Sequence, residues 1–279
     1  MTSSRPPVRG ARCHVVKLGG SLITSADANG LPHVNEERLA ALAREIASTQ
    51  LPVVLVHGTG AYGKPAARRH HYLDGVITAN RTGVFAQVSA LLSRLELSAL
   101  EALQRGGLCA VRVPLAGLCT YEGGEIRLLR VDAVRLLLDH GITPVLGGTL
   151  AWGRDGFAVY SSDTLAADLA IALRAAGLAM ATNASGVHLD HGNSDRIYHQ
   201  LNADDTTLTG AISPDLQDVS GGMRAKVHAC GRAAHVGIPT FIIDGRLPGN
   251  LTASLHGTPL AGTHITTGGS RDPGDPPPD

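Results

Sequence analysis

The chain has no excess of charge, no paired cysteines, no long apolar run and almost no lysine. Over 279 residues, 24 Lys plus Arg balance 24 Asp plus Glu. That balance argues against a nucleic-acid surface or an anionic membrane as the main partner. The four cysteines, Cys13, Cys109, Cys119 and Cys230, are widely spaced with no Cys-x-x-Cys pair. A disulfide scaffold and a cysteine zinc site are therefore not expected, and the pattern suits a reducing cytoplasm. No apolar run approaches the roughly 18 residues that span a bilayer, and the first twelve residues are polar, with no signal-peptide core behind them. The expectation is a cytoplasmic protein. Thirteen histidines are present, but His70-His71 and His188-x-x-His191 lack a third ligand at the usual spacing, so no metal site is expected.

Of the 24 basic residues only Lys17, Lys64 and Lys226 are lysines. Each lies within four residues of a glycine pair or a glycine-rich loop. A compact ammonium on a flexible stem beside backbone amides suits phosphate better than a planar guanidinium does.

The remaining composition, 43% hydrophobic and 17% charged, is that of an ordinary globular enzyme. Apolar runs predict strands at 13–18, 53–56, 109–113, 143–146, 178–182, 239–243 and 263–266. Helical periodicity predicts helices at 35–48, 81–105 and 131–139. Ser161-Ser162-Asp163 is expected to cap a helix over 164–175, and Gly221-Gly222 to open one running to about 235. Segment 147–160 reads as a hairpin turning at Gly153-Arg154-Asp155-Gly156, and 188–205 as polar loop. Alternating strands and helices imply an α/β protein, an open three-layer αβα sandwich with a mainly parallel central sheet. Without repeats or linkers, 13–267 is expected to be a single domain, its N-terminal lobe reaching about residue 147 and its C-terminal lobe following. Residues 1–12 are expected to be flexible, and the Gly-, Pro- and Asp-rich tail 268–279 to be disordered.

The segment His57-Gly58-Thr59-Gly60-Ala61-Tyr62-Gly63-Lys64-Pro65 fits three patterns. As G-x-G-x-x-G after a strand it matches the dinucleotide fingerprint, but the required acidic residue at a second strand end is not found. As G-x-x-x-x-G-K it matches a P-loop, but Pro65 stands where a magnesium-binding hydroxyl belongs. The third reading makes it one wall of a phosphate-transfer cleft built with Gly19-Gly20-Ser21 and with Gly221-Gly222-Met223, the latter at a helix start that favours an anion. The alternative for Lys64 is a surface lysine at a helix start, with Pro65 at the first helical position. For His57 a buried hydrogen-bonding role and a role at the site are both open.

These motifs resemble the isopentenyl phosphate kinases of the amino acid kinase superfamily. The resemblance is carried by Val15-Val16-Lys17-Leu18-Gly19-Gly20-Ser21-Leu22-Ile23-Thr24, His57 to Gly63, Ser161-Ser162-Asp163, Asp218 to Lys226, Pro248-Gly249-Asn250 and Gly262-Thr263-His264-Ile265-Thr266, in order along nearly the whole chain. The fosfomycin-resistance kinases share much of this pattern. What the resemblance implies is an amino acid kinase fold, often a homodimer, using ATP and Mg²⁺, with ATP toward the C-terminal half and a small anionic acceptor toward the N-terminal half. Lys17, Lys64 and Asp163 would be catalytic. Gly20, Ser21, His57, Gly58, Thr59, Gly60, Lys64 and Ser162 would meet the acceptor. Lys17, Gly19, Gly20, Thr182, Asn183, Gly186, Gly221, Gly222, Met223 and Lys226 would hold ATP. Three departures stand out: Lys64 replaces a histidine, no base follows Thr24 in Ser25-Ala26-Asp27-Ala28, and Asn183 replaces an aspartate. A phosphonate or carboxylate acceptor, or a non-catalytic nucleotide sensor, are the alternatives.

Overall fold

The computed structural model describes residues 12–72, 74–115, 117–128, 130–188, 196–205, 212 and 222–268. In chain order the first elements are β1 (His14–Leu18), the single turn α1 (Gly20–Ile23), β2 (Thr24–Ala26), β3 (Pro32–Val34), α2 (Glu36–Thr49), β4 (Val53–His57) and α3 (Gly60–Arg69). Then come β5 (Val76–Ile77), α4 (Thr82–Arg105), β6 (Ala110–Arg112), β7 (Cys119–Glu122), β8 (Glu125–Leu128), α5 (Asp132–Asp139) and β9 (Thr143–Gly147). They are followed by β10 (Thr149–Gly153), β11 (Gly156–Tyr160), α6 (Ser162–Leu173), β12 (Gly177–Thr182), β13 (Val187–His188), β14 (Ile197–Tyr198) and β15 (Gln200–Asn202). The last are α7 (Gly222–His235), β16 (Thr240–Asp244), α8 (Asn250–Leu255) and β17 (Gly262–Thr266).

Eight strands form the main sheet in the order β15-β17-β16-β12-β1-β4-β9-β6. Every pairing is parallel except β16 with β17. The first strand of the chain therefore lies in the middle. It can do so because β1, β4 and β12 are apolar on both faces, as strands covered on both sides must be. Successive residues point to opposite faces, and the two cores divide accordingly. Val15, Val54, Val56, Leu178 and Met180 pack with Leu165 and Leu169 of α6 and Val227 of α7. Val16, Leu18, Leu55, Ala179 and Ala181 pack with Leu39 and Ile46 of α2, Ala99 and Leu103 of α4 and Leu251 of α8. The expected three-layer αβα sandwich is what forms. A small second sheet, β10-β11-β5, stands beside the C-terminal ends of the main strands. No helix among the described residues is long and apolar enough to cross a membrane.

Local signals position the helices. Asn35 caps α2 by accepting the Arg38 amide at 3.0 Å, with Glu36 and Glu37 in the first turn, where the helix dipole favours them. Ser161 caps α6 by accepting the Thr164 amide at 3.1 Å.

Three expectations change. Helix α6 begins at Ser162, not 164, because Ser161 alone is the cap and Ser162 and Asp163 are already in the first turn. Segment 188–205 is not all loop: its described part holds β14 and β15, and β15 is the edge of the main sheet, paired in parallel with β17. Pro65 is the sixth residue of α3 rather than the first, since the helix already starts at Gly60. The expected flexible N-terminus and disordered tail fall almost wholly outside the described residues, as does Asp218 to Gly221.

Candidate active site

Lys17 sits one residue before the end of β1, in register with Val56 of β4 and Met180 of β12. Its ammonium lies 2.7 Å from Oδ1 of Asp163, in the first turn of α6. Lys226, from the second turn of α7, reaches the same oxygen at 2.8 Å. All three side chains are buried. Two ammoniums on one carboxylate leave a net positive charge under the cleft, which an anionic ligand would neutralise. Burial pushes the Asp163 carboxyl up, but the two ammoniums override it and hold it well below the usual carboxylate range. Burial first, and then the adjacent Lys226, hold the Lys17 ammonium below the ordinary lysine value. For Lys226 the Asp163 carboxylate outweighs burial and raises it.

Above these side chains two glycine loops touch backbone to backbone. Gly19 donates to Ala181 O at 2.8 Å and Gly58 donates to Leu18 O at 2.8 Å, so each loop continues its strand's ladder by one residue. A methyl on Gly58 would stand 2.5 Å from the Gly20 nitrogen, and one on Gly20 would overlap the Gly60 backbone. Gly60 has φ +43°, in the left-handed region that favours glycine. Thr24 fastens the two loops: its hydroxyl donates to Gly20 O at 2.8 Å and accepts the Ala61 amide at 2.9 Å. From there α3 carries Lys64 to the cleft.

The result is a cavity of about 280 Å³ at the C-terminal ends of the central strands, where open α/β sheets place their ligands. All three lysines of the chain line it. So do Gly19, Gly20, Ser21, Gly58, Thr59, Gly60, Ser162, Asp163, Thr182, Asn183, Gly222 and Met223. The Ser21 hydroxyl lies 3.4 Å from the Asn183 side-chain oxygen. His57 and Gly186 are not on the wall. His57 is the last residue of β4, in register with Leu18 and Gly147, and its ring packs against Gly147 on the α4 side. Its Nδ1 lies 3.3 Å from Gly58 O, Nε2 has no partner among the described residues, and burial holds its pKa down. Gly186 packs on Thr263 and Ile197. Gly221 lies outside the described residues.

The opposite end of the cavity is apolar, walled by Ala67, Tyr72, Val88, Leu92, Leu150 and Val159. These residues form a small core of their own between α3, α4, β5, β10 and β11. Val88 and Leu92 belong to the helix expected from periodicity over 81–105, and no pattern distinguishes a helix face that lines a cavity from one that fills a core. Thr24 was visible only as the end of a motif.

A parallel α/β sheet with amide-rich loops and lysines gathered at its strand ends suits phosphoryl transfer, since that chemistry needs alignment and charge neutralisation above all. Residues 12–244 match the family model described as the amino acid kinase family. The chain belongs to that family and is a small-molecule kinase. It is 32% identical over 248 residues to an isopentenyl phosphate kinase of Haloferax volcanii, covering 85% of this chain and 97% of the relative. It is 27% identical over 266 residues to an isopentenyl phosphate kinase of Methanothermobacter thermautotrophicus, covering 90% and 98%. In fold it is similar to a crystal structure of isopentenyl phosphate kinase, with a TM-score of 0.76 at 24% identity, covering 91% of this chain and all of the other.

Proposed function

We propose that the protein transfers the γ-phosphoryl group of ATP to the phosphate of a small isoprenoid monophosphate, with isopentenyl phosphate as the first candidate. The observation that carries this reading is the mixed lining of the cavity: three lysines and two glycine loops, together with an apolar wall of Ala67, Val88, Leu92, Leu150 and Val159 and the ring of Tyr72. A compact anionic head with a short hydrocarbon tail matches both kinds of lining, and the similarity to isopentenyl phosphate kinases supports the same acceptor.

In this reading an acceptor phosphate oxygen attacks the γ-phosphorus while ADP leaves. Lys17 neutralises charge on the transferring group, and the amides of Gly20 and Ser21 donate to its oxygens, while Gly19, whose amide is held by Ala181 O, fixes the loop beside them. Asp163 holds Lys17 and Lys226 at a fixed spacing. Lys226, Gly222 and Met223 at the start of α7 hold the ATP phosphates, where a helix N-terminus favours an anion, with Gly221 of the same motif, and Thr182 and Asn183 flank them. Gly58, Thr59, Gly60, Ser162 and Lys64 hold the acceptor phosphate. His57 supports the loop from beneath, and Gly186 shapes the turn after β12.

Mg²⁺ enters as part of the nucleotide substrate. Among the described residues no group of three metal-ligating side chains gathers, and the one carboxylate lining the cavity is held by two ammoniums. A magnesium ion bound mainly to phosphates and water suits such a site. We also place the protein in the cytoplasm, in keeping with four unbridged cysteines, and as a homodimer on the resemblance.

The test is acceptor-stimulated ADP release over isopentenyl and dimethylallyl phosphate, fosfomycin, other phosphonates and small carboxylates. Stimulation by the isoprenoid phosphates alone is expected. Stimulation only by a phosphonate or carboxylate would replace the acceptor assignment, and ATP binding without stimulated release would mean a sensor.

A further inference from the structure

Helices α6 and α7, joined at the cavity by Asp163 and Lys226, are joined a second time farther along. Asp168 of α6 accepts the Tyr160 hydroxyl on Oδ2 at 2.5 Å, and its Oδ1 receives the Arg232 guanidinium of α7. Tyr160 ends β11 at the border of the cavity, next to Val159, and is 1% exposed; its side chain points to the other face of the strand, into the core with Leu165 and Leu169 of α6. Burial first, and the facing carboxylate next, push its hydroxyl far above the ordinary tyrosine range, so it remains a donor at any working pH. Arg232 does not line the cavity. It lies six residues beyond Lys226 on the same helix. The end of a strand that borders the cavity is thus fastened, through the Tyr160 hydroxyl and a carboxylate, to two helices.

We infer that Asp168 is a positioning residue that ties the acceptor wall to the helix carrying Lys226. Through Tyr160 it fixes the end of β11, and through Arg232 it fixes α7, so the acceptor's seat and the ATP-side lysine keep one spacing. The inference rests on the kinase reading given above. Its physical basis is that charge-assisted bonds to a largely buried carboxylate are strong and directional, while in-line phosphoryl transfer tolerates little displacement of the reacting groups. Tyr160, Asp168 and Arg232 form one connected network, and substitutions within such a network are not additive.

The experiment measures kcat, the KM of each substrate and the thermal midpoint for Arg232→Met, Arg232→Lys, Tyr160→Phe and the double variant Tyr160→Phe/Arg232→Met. The expected signature is crossed. Arg232→Met, off the cavity, raises the acceptor KM at least about threefold, and Tyr160→Phe, at the end of the β11 strand that borders the acceptor side, raises the KM for ATP by a similar factor. The double variant is no worse than the worse single one, because both act through the same carboxylate, and Arg232→Lys recovers most of the loss. If Arg232→Met shifts only the thermal midpoint, or if the two effects multiply, Asp168 is a structural tie and the inference is overturned. A wild-type protein that turns over no acceptor removes the kinase reading and this inference together, whereas a turning-over wild type with unaffected variants removes this inference alone.

Discussion

Lys17 and Lys226 share one oxygen of Asp163, and this decides what a single substitution does. Lys17→Met leaves Asp163 still paired with Lys226, so no charge is stranded and the thermal midpoint should hold nearly steady. Losing a charge that stabilises the transition state should lower kcat by about 10²–10³. A protein that unfolds while keeping its activity per folded molecule would make Lys17 structural. Lys17 also sets a pH dependence. Its ammonium is held below the free-lysine value of about 10.4, so the neutral form accumulates at lower pH than for an exposed lysine. The kcat/KM for ATP, which reports the free enzyme, should fall as pH rises through this lowered value. The kcat profile should fall at higher pH, because bound phosphates stabilise the ammonium. Coincident kcat and kcat/KM profiles, or none falling below pH of about 10, would contradict the assignment. Lys64 acts at the other substrate: Lys64→Ala should raise the acceptor KM or lower kcat at least about tenfold, with the KM for ATP little changed. Unaltered acceptor kinetics would return Lys64 to the helix surface.

At the scale of elements, part of the resemblance is structural rather than catalytic. Asn250, fully buried at the start of α8, makes four hydrogen bonds: its amide donates to Asp244 O at 2.9 Å and to Ala261 O at 2.7 Å, and its oxygen accepts Leu260 N at 2.7 Å and Ala261 N at 3.2 Å. Glu45 of α2 receives the Gly249 and Thr252 amides at 3.0 and 3.3 Å and so caps the same helix from outside. Asn250→Ala would strand several buried backbone groups and should destabilise the fold by roughly 3 kcal/mol, with kcat per folded molecule unchanged; denaturant unfolding and active-site titration together check this. Legibility in the sequence follows from the same local physics. The apolar runs of β1, β4 and β12, the capping signal that begins at Ser161 and the hairpin turn at 153–156 were readable because their signals are local. The three lysines beside glycines were readable as one site because glycine loops end strands that a parallel sheet gathers side by side. Strands β14 and β15 were not readable, since two or three residues are too few to show a periodicity and β15 is held by β17, some sixty residues on. The roles of Asn250 and Asp168, and the apolar wall made by Val88 and Leu92, depend on partners distant in sequence.

For the whole molecule, the order of strands places β1 at the centre and brings the ends of β1, β4, β9 and β12 to a single cleft. One side of that cleft is closed by α6 and α7 with their charges, the other by α3, α4 and the β10-β11 hairpin with their apolar side chains. A phosphate at the charged end and a short hydrocarbon at the apolar end is the central claim. It is tested most directly by ³¹P NMR of the protein incubated with Mg·ATP and isopentenyl phosphate. The expected result is loss of the monophosphate resonance and growth of the two coupled resonances of a diphosphate monoester, in step with ADP. Accumulation of ADP and inorganic phosphate with the monophosphate untouched, in protein shown to bind ATP, would contradict it.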